Sequence, residues 1–373
     1  MKVVYICSSI IPSRTANSIH VMKMCQAFAK NNHEVILLCP DAAKDYELGV
    51  DDVYAFYGVR RCFKIIKLPW PNFKGRGYVY GVLAAIKCYK LRPDLVFGRN
   101  LIGCTISAFA KLPVMFEYHE PIACNERIKA CLFGCLSHHA SLKKFIVITH
   151  SLKAYYESTY PHLKNKIHVA PDGADPIESN VEPIKLANVG QQLQVGYVGN
   201  LYAGKGMEVI TEMARICEWA DFHVVGGTNS DLAFWESQLL CLPNLLLHGY
   251  VPQSEVSRYL ISFDVLLLPN QSKVLAHGKK KTDISKWTSP LKAFEYMSAQ
   301  KPIISSNLPV LKEIFRDEYN ALLCSTNHLD EWEKALMRLR DDKILSQRIA
   351  YQAYQEFMES YTWVARVRQI LEK

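Results

Sequence analysis

The sequence predicts an α/β protein with two doubly wound domains in tandem. Short apolar runs of strand length alternate with amphipathic helical stretches along the whole chain, which is typical of parallel sheets covered by helices on both faces. The strand pattern starts again after PDGADPIESNVEP at residues 171–183, where Pro, Gly and Asp cluster as in a linker. A chain of 373 residues is long enough for two full hydrophobic cores.

Five apolar runs predict the strands of each domain. In the first half they are VVYIC, EVILLC, DLVFG, VMFEYH and FIVIT, and IHVMKMCQAFAKN predicts the first crossover helix. In the second half they are QVGYVGN, DFHVVGG, NLLLHGY, DVLLLP and KPIISS. Because ligands of such sheets bind beyond the carboxyl ends of the strands, we expect the functional residues in the loops that follow them.

The composition is that of an ordinary globular protein. Hydrophobic residues make up 49% and charged residues 21% of the chain, and no apolar run reaches the roughly 18 residues of a membrane span. Its 12 cysteines form no CxxC pair, which predicts reduced core thiols rather than a zinc site or a disulfide framework. We therefore expect a cytoplasmic protein, which also acts at the inner face of the cell membrane if the following charge pattern contacts lipid.

The positive charge is concentrated in the N-terminal half. Residues 1–180 contain 23 Lys and Arg against 14 Asp and Glu, whereas the remainder contains 21 against 22. No acid lies between Val53 and Pro93, where basic residues alternate with aromatic ones. This mixture suits an anionic lipid surface, and the alternative is a solvated face. Nucleic acid is disfavoured as a partner because no helix-turn-helix, RNP or zinc-finger pattern accompanies the charge. The basic residues are Arg60, Arg61, Lys64, Lys67, Lys74, Arg76, Lys87, Lys90 and Arg92.

The stretch SPLKAFEYM, residues 289–297, predicts an anion site at the start of a helix. Ser289 is the expected cap and Pro290 the first helical residue, which leaves unpaired backbone N–H groups at the helix start. Lys292 and Glu295 are three residues apart and share a helix face. A phosphate would bind the amides and Lys292, and the Glu295 carboxylate would accept hydrogen bonds from ribose hydroxyls. The alternative is a capped core helix with a surface ion pair.

The stretch VGYVGNLYAGKG predicts a second phosphate-binding loop. A strand ends at Gly199, a helix begins near Gly206, and Lys205 lies at that helix start. Together with Lys292 it offers the two cations that a diphosphate requires, although each βα loop alone also fits an ordinary turn. A further lysine run, Lys279 to Lys281, either closes over a phosphate or is solvated.

Polar residues follow two strands of the first half. Alternation in VMFEYHEP puts Glu117 and His119 on one side of a strand end, and Glu120 follows. His119 would donate to a developing oxyanion or a sugar hydroxyl, and the alternative is a structural histidine. In SSIIPSRTANSIHV, Arg14 and Asn17 precede a helix, where they would contact a ligand or form an ordinary turn.

Several segments in register resemble the retaining glycosyltransferase family 4, the group 1 glycosyltransferases of GT-B fold. They are VGNLYAGKG, LHGYVPQSEV, DVLLLP and SPLKAFEYMSAQKPIISSNLPVLKEI, with NSIHVMKMCQAFAKNNHEV, EYHEP, FIVITHSLK, PDGAD and the tail YTWVARVRQIL. The resemblance implies two Rossmann-like domains facing a central cleft. Residues 1–180 would bind the acceptor and 181–355 the nucleotide sugar, and 356–373 would form a helix that crosses back to the first domain.

The resemblance also implies roles for single residues. Glu295 would bind the ribose, Lys205 the diphosphate, and the backbone amides of Ser289 to Lys292 the distal phosphate and the sugar. Gly249 and Tyr250 would lie beside the base, in the base-side loop LHGYVPQSEV. His119 would contact the transferred sugar or the leaving oxygen. The implied catalytic residues are His119, Lys205 and Glu295. The implied donor-binding residues are Gly199, Asn200, Lys205, Gly206, Gly249, Tyr250, Ser289, Pro290, Leu291, Lys292 and Glu295. The implied acceptor-side residues are Arg14, Asn17, Glu117 and Glu120.

The activity implied by the resemblance is sugar transfer with retention. The donor would be a UDP- or GDP-linked sugar, the acceptor a glycan or a lipid-linked molecule, and no cofactor or metal would be required. Cell-surface polysaccharide or glycolipid biosynthesis is the implied pathway.

Three positions depart from the family pattern. Trp287 stands where a second Glu is usual eight residues before Glu295, Asn200 replaces a usual arginine, and no glycine lies between Ser8 and His20. They leave two alternatives, which are a non-catalytic nucleotide-sugar-binding partner and a nucleotide-sugar epimerase of the same architecture.

Overall fold

The computed structural model describes residues 1–122, 126–186, 192–238, 242–273, 283 and 285–372. The chain forms two compact units. Unit 1 comprises Met1–Pro171 and Trp363–Lys373, and unit 2 comprises Asp172–Thr362, so the chain first changes unit at the start of PDGADPIESNVEP. The predicted α/β class with two doubly wound sheets is confirmed. The acceptor and donor roles of the two halves stay predictions.

Unit 1 is built on a seven-stranded parallel sheet with the strand order β3-β2-β1-β4-β5-β6-β7. Because β1 lies between β2 and β4, the strand order reverses between β1 and β4, which is where open α/β sheets form a crevice for ligands. The strands are β1 (Lys2–Ile6), β2 (Glu34–Asp41), β3 (Lys64–Pro69), β4 (Leu95–Gly98), β5 (Val114–Glu117), β6 (Leu142–Val147) and β7 (Ile167–Val169).

Several helices of unit 1 begin at polar caps that the sequence supplies. Thr15 accepts from the Ser18 N–H at the start of the first long helix, and Asn100 accepts from the Gly103 N–H at 2.7 Å. The helices are α1 (Ala16–Lys30), α2 (Val53–Phe56), α3 (Arg76–Leu91), α4 (Leu101–Phe109), α5 (Arg127–His138) and α6 (His150–Thr159).

Unit 2 has a six-stranded parallel sheet with the order β10-β9-β8-β11-β12-β13, which reverses between β8 and β11. Its strands are β8 (Leu193–Val198), β9 (Ala220–Val225), β10 (Leu245–Gly249), β11 (Val265–Leu268), β12 (Ile303–Ser306) and β13 (Leu322–Cys324). Its helices are α7 (Met207–Ile216), α8 (Asn229–Gln238), α9 (Val256–Ser262), α10 (Leu291–Ser298), α11 (Leu329–Asp341) and α12 (Lys343–Glu356).

Both faces of the unit 2 sheet are buried, which explains its continuous apolar strands. Tyr197 and Leu267 point to the face covered by α7 and α11, whereas Val198 and Leu266 point to the face covered by α9 and α10. Each strand therefore needs apolar residues at successive positions.

Three strands that the sequence analysis did not predict are β3, β7 and β13. All three lie at sheet edges, and β3 carries the lysines Lys64 and Lys67 within KIIKLP. An edge strand pairs on one side only and tolerates charged side chains, so its pattern lacks the continuous apolar run of a central strand.

The predicted start of α10 is wrong by one residue. The helix begins at Leu291 and Pro290 is its N-cap, without a side-chain cap bond. Ser289 does not cap it, because its Oγ accepts a hydrogen bond from the Asp172 N–H at 3.0 Å. Pro290 also carries no N–H, so within Ser289–Lys292 only three backbone amides are available to an anion.

The last helix, α13 (Trp363–Leu371), belongs to unit 1. Asn31 Nδ2 donates to the Val364 carbonyl at 3.1 Å, and Lys144 Nζ donates to the Ile370 carbonyl at 2.8 Å. These bonds fasten both ends of α13 to unit 1.

The described cysteines are free thiols, and most are buried. Cys62, Cys131 and Cys135 are exposed, so the prediction that the thiols belong to the core is wrong for these three.

Candidate functional site

Two buried lysines come together at the carboxyl edge of the unit 2 sheet. Lys205 is 6% exposed and Lys292 is 8% exposed. Lys292 Nζ donates to the Tyr197 hydroxyl at 2.6 Å, and that hydroxyl donates to the Asn200 carbonyl at 2.7 Å. Among the described residues, neither lysine forms an ion pair with a carboxylate. Lys292 is therefore not part of a surface ion pair, the alternative that the sequence had left open.

The two ammonium groups disfavour each other's charge. Burial lowers the pKa of Lys205 to about 8. Burial also lowers the pKa of Lys292 well below its usual value, and the charge of Lys205 lowers it further, against a smaller opposing effect of Glu295. A bound anion with two charges would relieve both the burial cost and the repulsion.

Two glycines allow the backbone to approach the lysines and the neighbouring strand. A Cβ on Gly199 would lie 2.7 Å from Lys292 Nζ. Gly206, the N-cap of α7, has φ of 91°, and a Cβ there would lie 2.1 Å from the Pro269 carbonyl oxygen. A side chain at Gly206 would collide with the backbone that follows β11, so glycine is required there, and one at Gly199 would displace the Lys292 ammonium group.

Glu295 lies one helical turn after Lys292 on α10. Its Oε1 accepts a hydrogen bond from Gln253 Nε2 at 2.8 Å. Gln253 belongs to the loop after β10, three residues beyond Tyr250. The predicted ribose residue Glu295 is therefore joined to the predicted base-side loop by one hydrogen bond from the Gln253 side-chain amide.

The remaining predicted donor residues surround this group at different depths. Gly249 ends β10 with φ of 73° and accepts from the Gly226 N–H at 2.7 Å, and Tyr250 is 41% exposed. Asn200 is exposed, Ser289 and Pro290 are buried, and Leu291 is half-buried. Trp287 is half-buried and precedes α10. Lys279, Lys280 and Lys281 lie outside the described residues.

A second charged cluster occupies unit 1 at the end of β5. Glu117 is fully buried, and its Oε1 accepts from His119 Nε2 at 2.5 Å and from Arg366 Nη2 at 2.8 Å. His20 Nε2 lies 3.1 Å from the same oxygen. Arg366 also donates to the carbonyls of Pro171 and Ala170.

This cluster keeps Glu117 ionised. Burial alone raises the pKa of the carboxyl, but the charge of Arg366, the nearby His20 and the hydrogen bond from His119 outweigh it, so the pKa lies well below its usual value. The geometry suits Glu117 for positioning His119, whose side chain is 18% exposed, rather than for contacting an acceptor.

The other predicted acceptor-side residues do not form a compact group around Glu117. Arg14 pairs with Glu47 at 2.6 Å, and Asn17 is exposed in the first turn of α1. Glu120 is exposed and accepts from the Tyr118 hydroxyl at 3.1 Å. Their contact with an acceptor stays a prediction.

Four residues of these clusters were missed from the sequence. They are Tyr197, Gln253, His20 and Arg366. Gln253 alone had a sequence signal, because it follows the predicted base-side loop in VPQSEV. The other three lie within a strand or a helix, where the sequence pattern around an aromatic or charged residue does not indicate its distant partner.

The two doubly wound parallel sheets have the architecture of the GT-B fold. A family model described as "Glycosyltransferase Family 4" matches residues 18–178, and one described as "Glycosyl transferases group 1" matches residues 192–342. The chain belongs to the group 1 glycosyltransferases.

Three known proteins illustrate the similarity. TuaH of Bacillus subtilis (strain 168), a glycosyltransferase whose name assigns it to teichuronic acid biosynthesis, is 31% identical over 118 residues, which are 31% of this chain. The chain matches only 27% of the length of that relative. The Anabaena HepE structure with UDP and glucose has 12% identity and a TM-score of 0.71, covering 99% of this chain and 98% of HepE. The structure of a TarM variant of S. aureus with Fondaparinux, alpha-GlcNAc-glycerol and UDP has 10% identity and a TM-score of 0.68, covering 99% of each chain.

Proposed function

We propose that this protein transfers a sugar with retention from a nucleoside diphosphate sugar to a glycan or a lipid-linked acceptor, without a metal. The observation that carries the proposal is the buried pair Lys205 and Lys292, which has no carboxylate ion pair in the described part of the chain and lies beside Glu295. The UDP bound by HepE and TarM supports a nucleotide donor of this kind.

The proposed chemistry is stabilisation of the leaving diphosphate. As the bond between sugar and phosphate breaks, negative charge develops on the diphosphate, and two ammonium groups in a buried site stabilise that charge more strongly than water does. They supply the positive charge that a divalent metal provides in other transferases. The acceptor attacks from the face that the diphosphate leaves, and a diphosphate oxygen takes the acceptor proton.

The remaining roles are proposed for residues of each unit separately. Glu295, oriented by Gln253, accepts hydrogen bonds from the ribose hydroxyls. The amides of Leu291 and Lys292 bind the distal phosphate at the start of α10. His119, held by Glu117 through Nε2, is assigned the role of contacting the transferred sugar or the leaving oxygen with its other ring nitrogen.

Calorimetric titration with UDP and with GDP tests the donor site. We expect one of them to bind, and we expect Glu295→Ala to lose roughly 1.5–3 kcal/mol, at least tenfold in affinity. Glu236→Ala, which alters an exposed carboxylate on α8, is the matched control and should bind like the wild type. If neither nucleotide binds, the proposed donor site is wrong.

Product analysis separates transfer from the two alternatives. With a donor sugar and a mixed glycan acceptor, a transferase releases the nucleoside diphosphate and lengthens the acceptor, and its new linkage keeps the donor's anomeric configuration. An epimerase changes the sugar without an acceptor. Nucleotide binding with neither product would favour the non-catalytic partner.

We also propose that unit 1 contacts an anionic membrane through α3. One face of α3 is buried, yet the opposite face exposes apolar side chains at a helical spacing, flanked by Lys74, Lys90 and Arg92. The exposed residues are Tyr78, Val82, Ile86 and Tyr89, with Phe73 just before the helix. An apolar stripe beside positive charge suits the surface of an anionic bilayer. Within the described residues, no helix is both long and apolar enough to span a bilayer.

Sedimentation with phosphatidylglycerol vesicles tests the α3 contact. We expect Ile86→Asp to weaken binding by about tenfold, because it removes apolar area and adds a charge that the lipid repels. Ile344→Asp is the control, since Ile344 is 81% exposed on α12 in unit 2. Equal vesicle binding by Ile86→Asp and Ile344→Asp would contradict the proposal. Vesicle binding that is unchanged when the charges of Lys74 and Lys90 are reversed would also contradict it.

A further inference from the structure

The unit 1 sheet has polar residues at the point where its strand order reverses. Ser8 and Ser9 follow β1, and Arg99 follows β4 directly. The Arg99 N–H donates to the Ile6 carbonyl at 2.9 Å, and Asn100 Nδ2 donates to Ser8 Oγ at 2.8 Å. These bonds tie the two strand ends together. In unit 2, Lys205 follows β8 and Lys292 follows β11, the two strands between which the order of that sheet reverses.

Polar atoms at this edge of unit 1 are buried without partners. Arg99 Nη1 and Ser9 Oγ are both screened from solvent, and neither has a hydrogen-bond partner in the described part of the chain. Ser9 is 5% exposed, and the hydroxyl of the fully buried Tyr5 on β1 also lacks a partner there. Buried donors in native proteins are nearly always paired, so an unpaired arginine donor indicates a ligand.

No carboxylate neutralises Arg99 within the described residues. The carboxylate of the exposed Glu120 accepts a hydrogen bond from the Tyr118 hydroxyl and not from Arg99. Elsewhere in unit 1, buried Arg366 has its carboxylate, Glu117, at 2.8 Å. Arg99 is therefore a half-buried cation that forms no ion pair with a carboxylate in the described chain.

We propose that Arg99 and Ser9 bind an oxyanion carried by the acceptor, either a carboxylate of an acidic sugar or a phosphate group. The planar guanidinium offers parallel N–H donors that match two oxygens of either group, and the Ser9 hydroxyl adds a third donor. The inference rests on the proposed function, because it names the chemical class of that reaction's acceptor.

Titrations with glucuronate, inorganic phosphate and glucose test the site. We expect glucuronate or phosphate to bind and glucose to bind at least tenfold more weakly. Arg99→Met should reduce anion affinity by roughly tenfold or more, and Ser9→Ala by a few-fold. Arg348→Met, at an exposed arginine of unit 2, is the matched control. Phosphate is also expected to bind at the lysine pair of unit 2. Only the part of the phosphate binding that is lost in Arg99→Met is therefore assigned to the Arg99 site.

The outcomes identify the source of the oxyanion. Loss of glucuronate binding alone indicates an acidic sugar, and loss of a phosphate component indicates a phosphate group. If Arg99→Met and Arg99→Lys are folded by circular dichroism and both bind the two anions like the wild type, the proposal is wrong. If Arg99→Met does not fold, Arg99→Lys and Ser9→Ala decide, and wild-type anion binding by both overturns it.

A separate measurement distinguishes failure of the acceptor proposal from failure of the proposed function. UDP and GDP titrations of the unaltered protein report on the donor site in unit 2. Absence of nucleotide binding would contradict the proposed function, whereas nucleotide binding without an Arg99-dependent anion would contradict only the acceptor proposal.

Discussion

Replacing Arg366 with methionine is expected to lower the free energy of unfolding of unit 1 by about 3–5 kcal/mol. The guanidinium is 1% exposed and donates to Glu117 and to the carbonyls of Ala170 and Pro171. Without it, a fully buried carboxylate loses its strongest positive partner and two carbonyls lose a donor. Chemical denaturation followed by circular dichroism measures the change.

Two comparisons separate charge loss from packing loss at Arg366. Arg368→Met, at an exposed position of the same helix, should change stability by less than about 0.5 kcal/mol. Glu117→Gln in the Arg366→Met background should recover part of the loss, since it removes the unpaired charge. A fully additive double variant would mean that the pair does not interact.

The effect of Arg366 should also depend on pH. The pKa of Glu117 is lowered in the folded protein, so its stabilisation is present above the ordinary carboxyl pKa and is lost as pH falls through the folded value. The stability difference between wild type and Arg366→Met should therefore shrink in strong acid. A difference that stays constant to low pH would contradict the ionised pair.

Replacing Lys292 with methionine is expected to lower affinity for the bound nucleoside diphosphate by about 10–100-fold. The methionine keeps most of the side-chain length but removes the ammonium group proposed to contact the diphosphate. Affinity for the nucleoside without phosphates should change little, because the lysine is proposed to contact only phosphate. Calorimetry with both ligands gives the ratio directly.

The matched control for this prediction is Lys312→Met, which alters an exposed lysine of unit 2. An equal loss of nucleoside and diphosphate affinity in Lys292→Met would indicate a general disturbance of the site. An unchanged diphosphate affinity would remove Lys292 from the proposed mechanism.

The lysine pair also predicts how diphosphate affinity depends on pH. The protonated form of Lys205 binds the anion, and burial lowers its pKa to about 8 in the free protein. Affinity should therefore fall as pH rises through about 8, and Lys205→Met should remove that part of the dependence.

Local sequence was sufficient to predict the parts of the donor site that lie on one short segment. Lys292 and Glu295 are three residues apart on one helix, and Gly206 and Lys205 are adjacent, so their proximity needs only the geometry of a helix and a turn. The central strands were equally predictable, because burial on both faces demands a continuous apolar run. The helix start was misplaced because Ser289 has a partner, Asp172, that is 117 residues away.

The sequence by itself determined the α/β class, the restart of the strand pattern after the linker at residues 171–183 and the charged residues of the donor loops. Tertiary structure alone decided what those residues contact. Lys292 bonds to Tyr197 across 95 residues, Glu295 to Gln253 across 42, and Glu117 to Arg366 across 249. Periodicity and spacing describe neighbours along one element, whereas these partners meet only after the sheets and helices of each unit have packed.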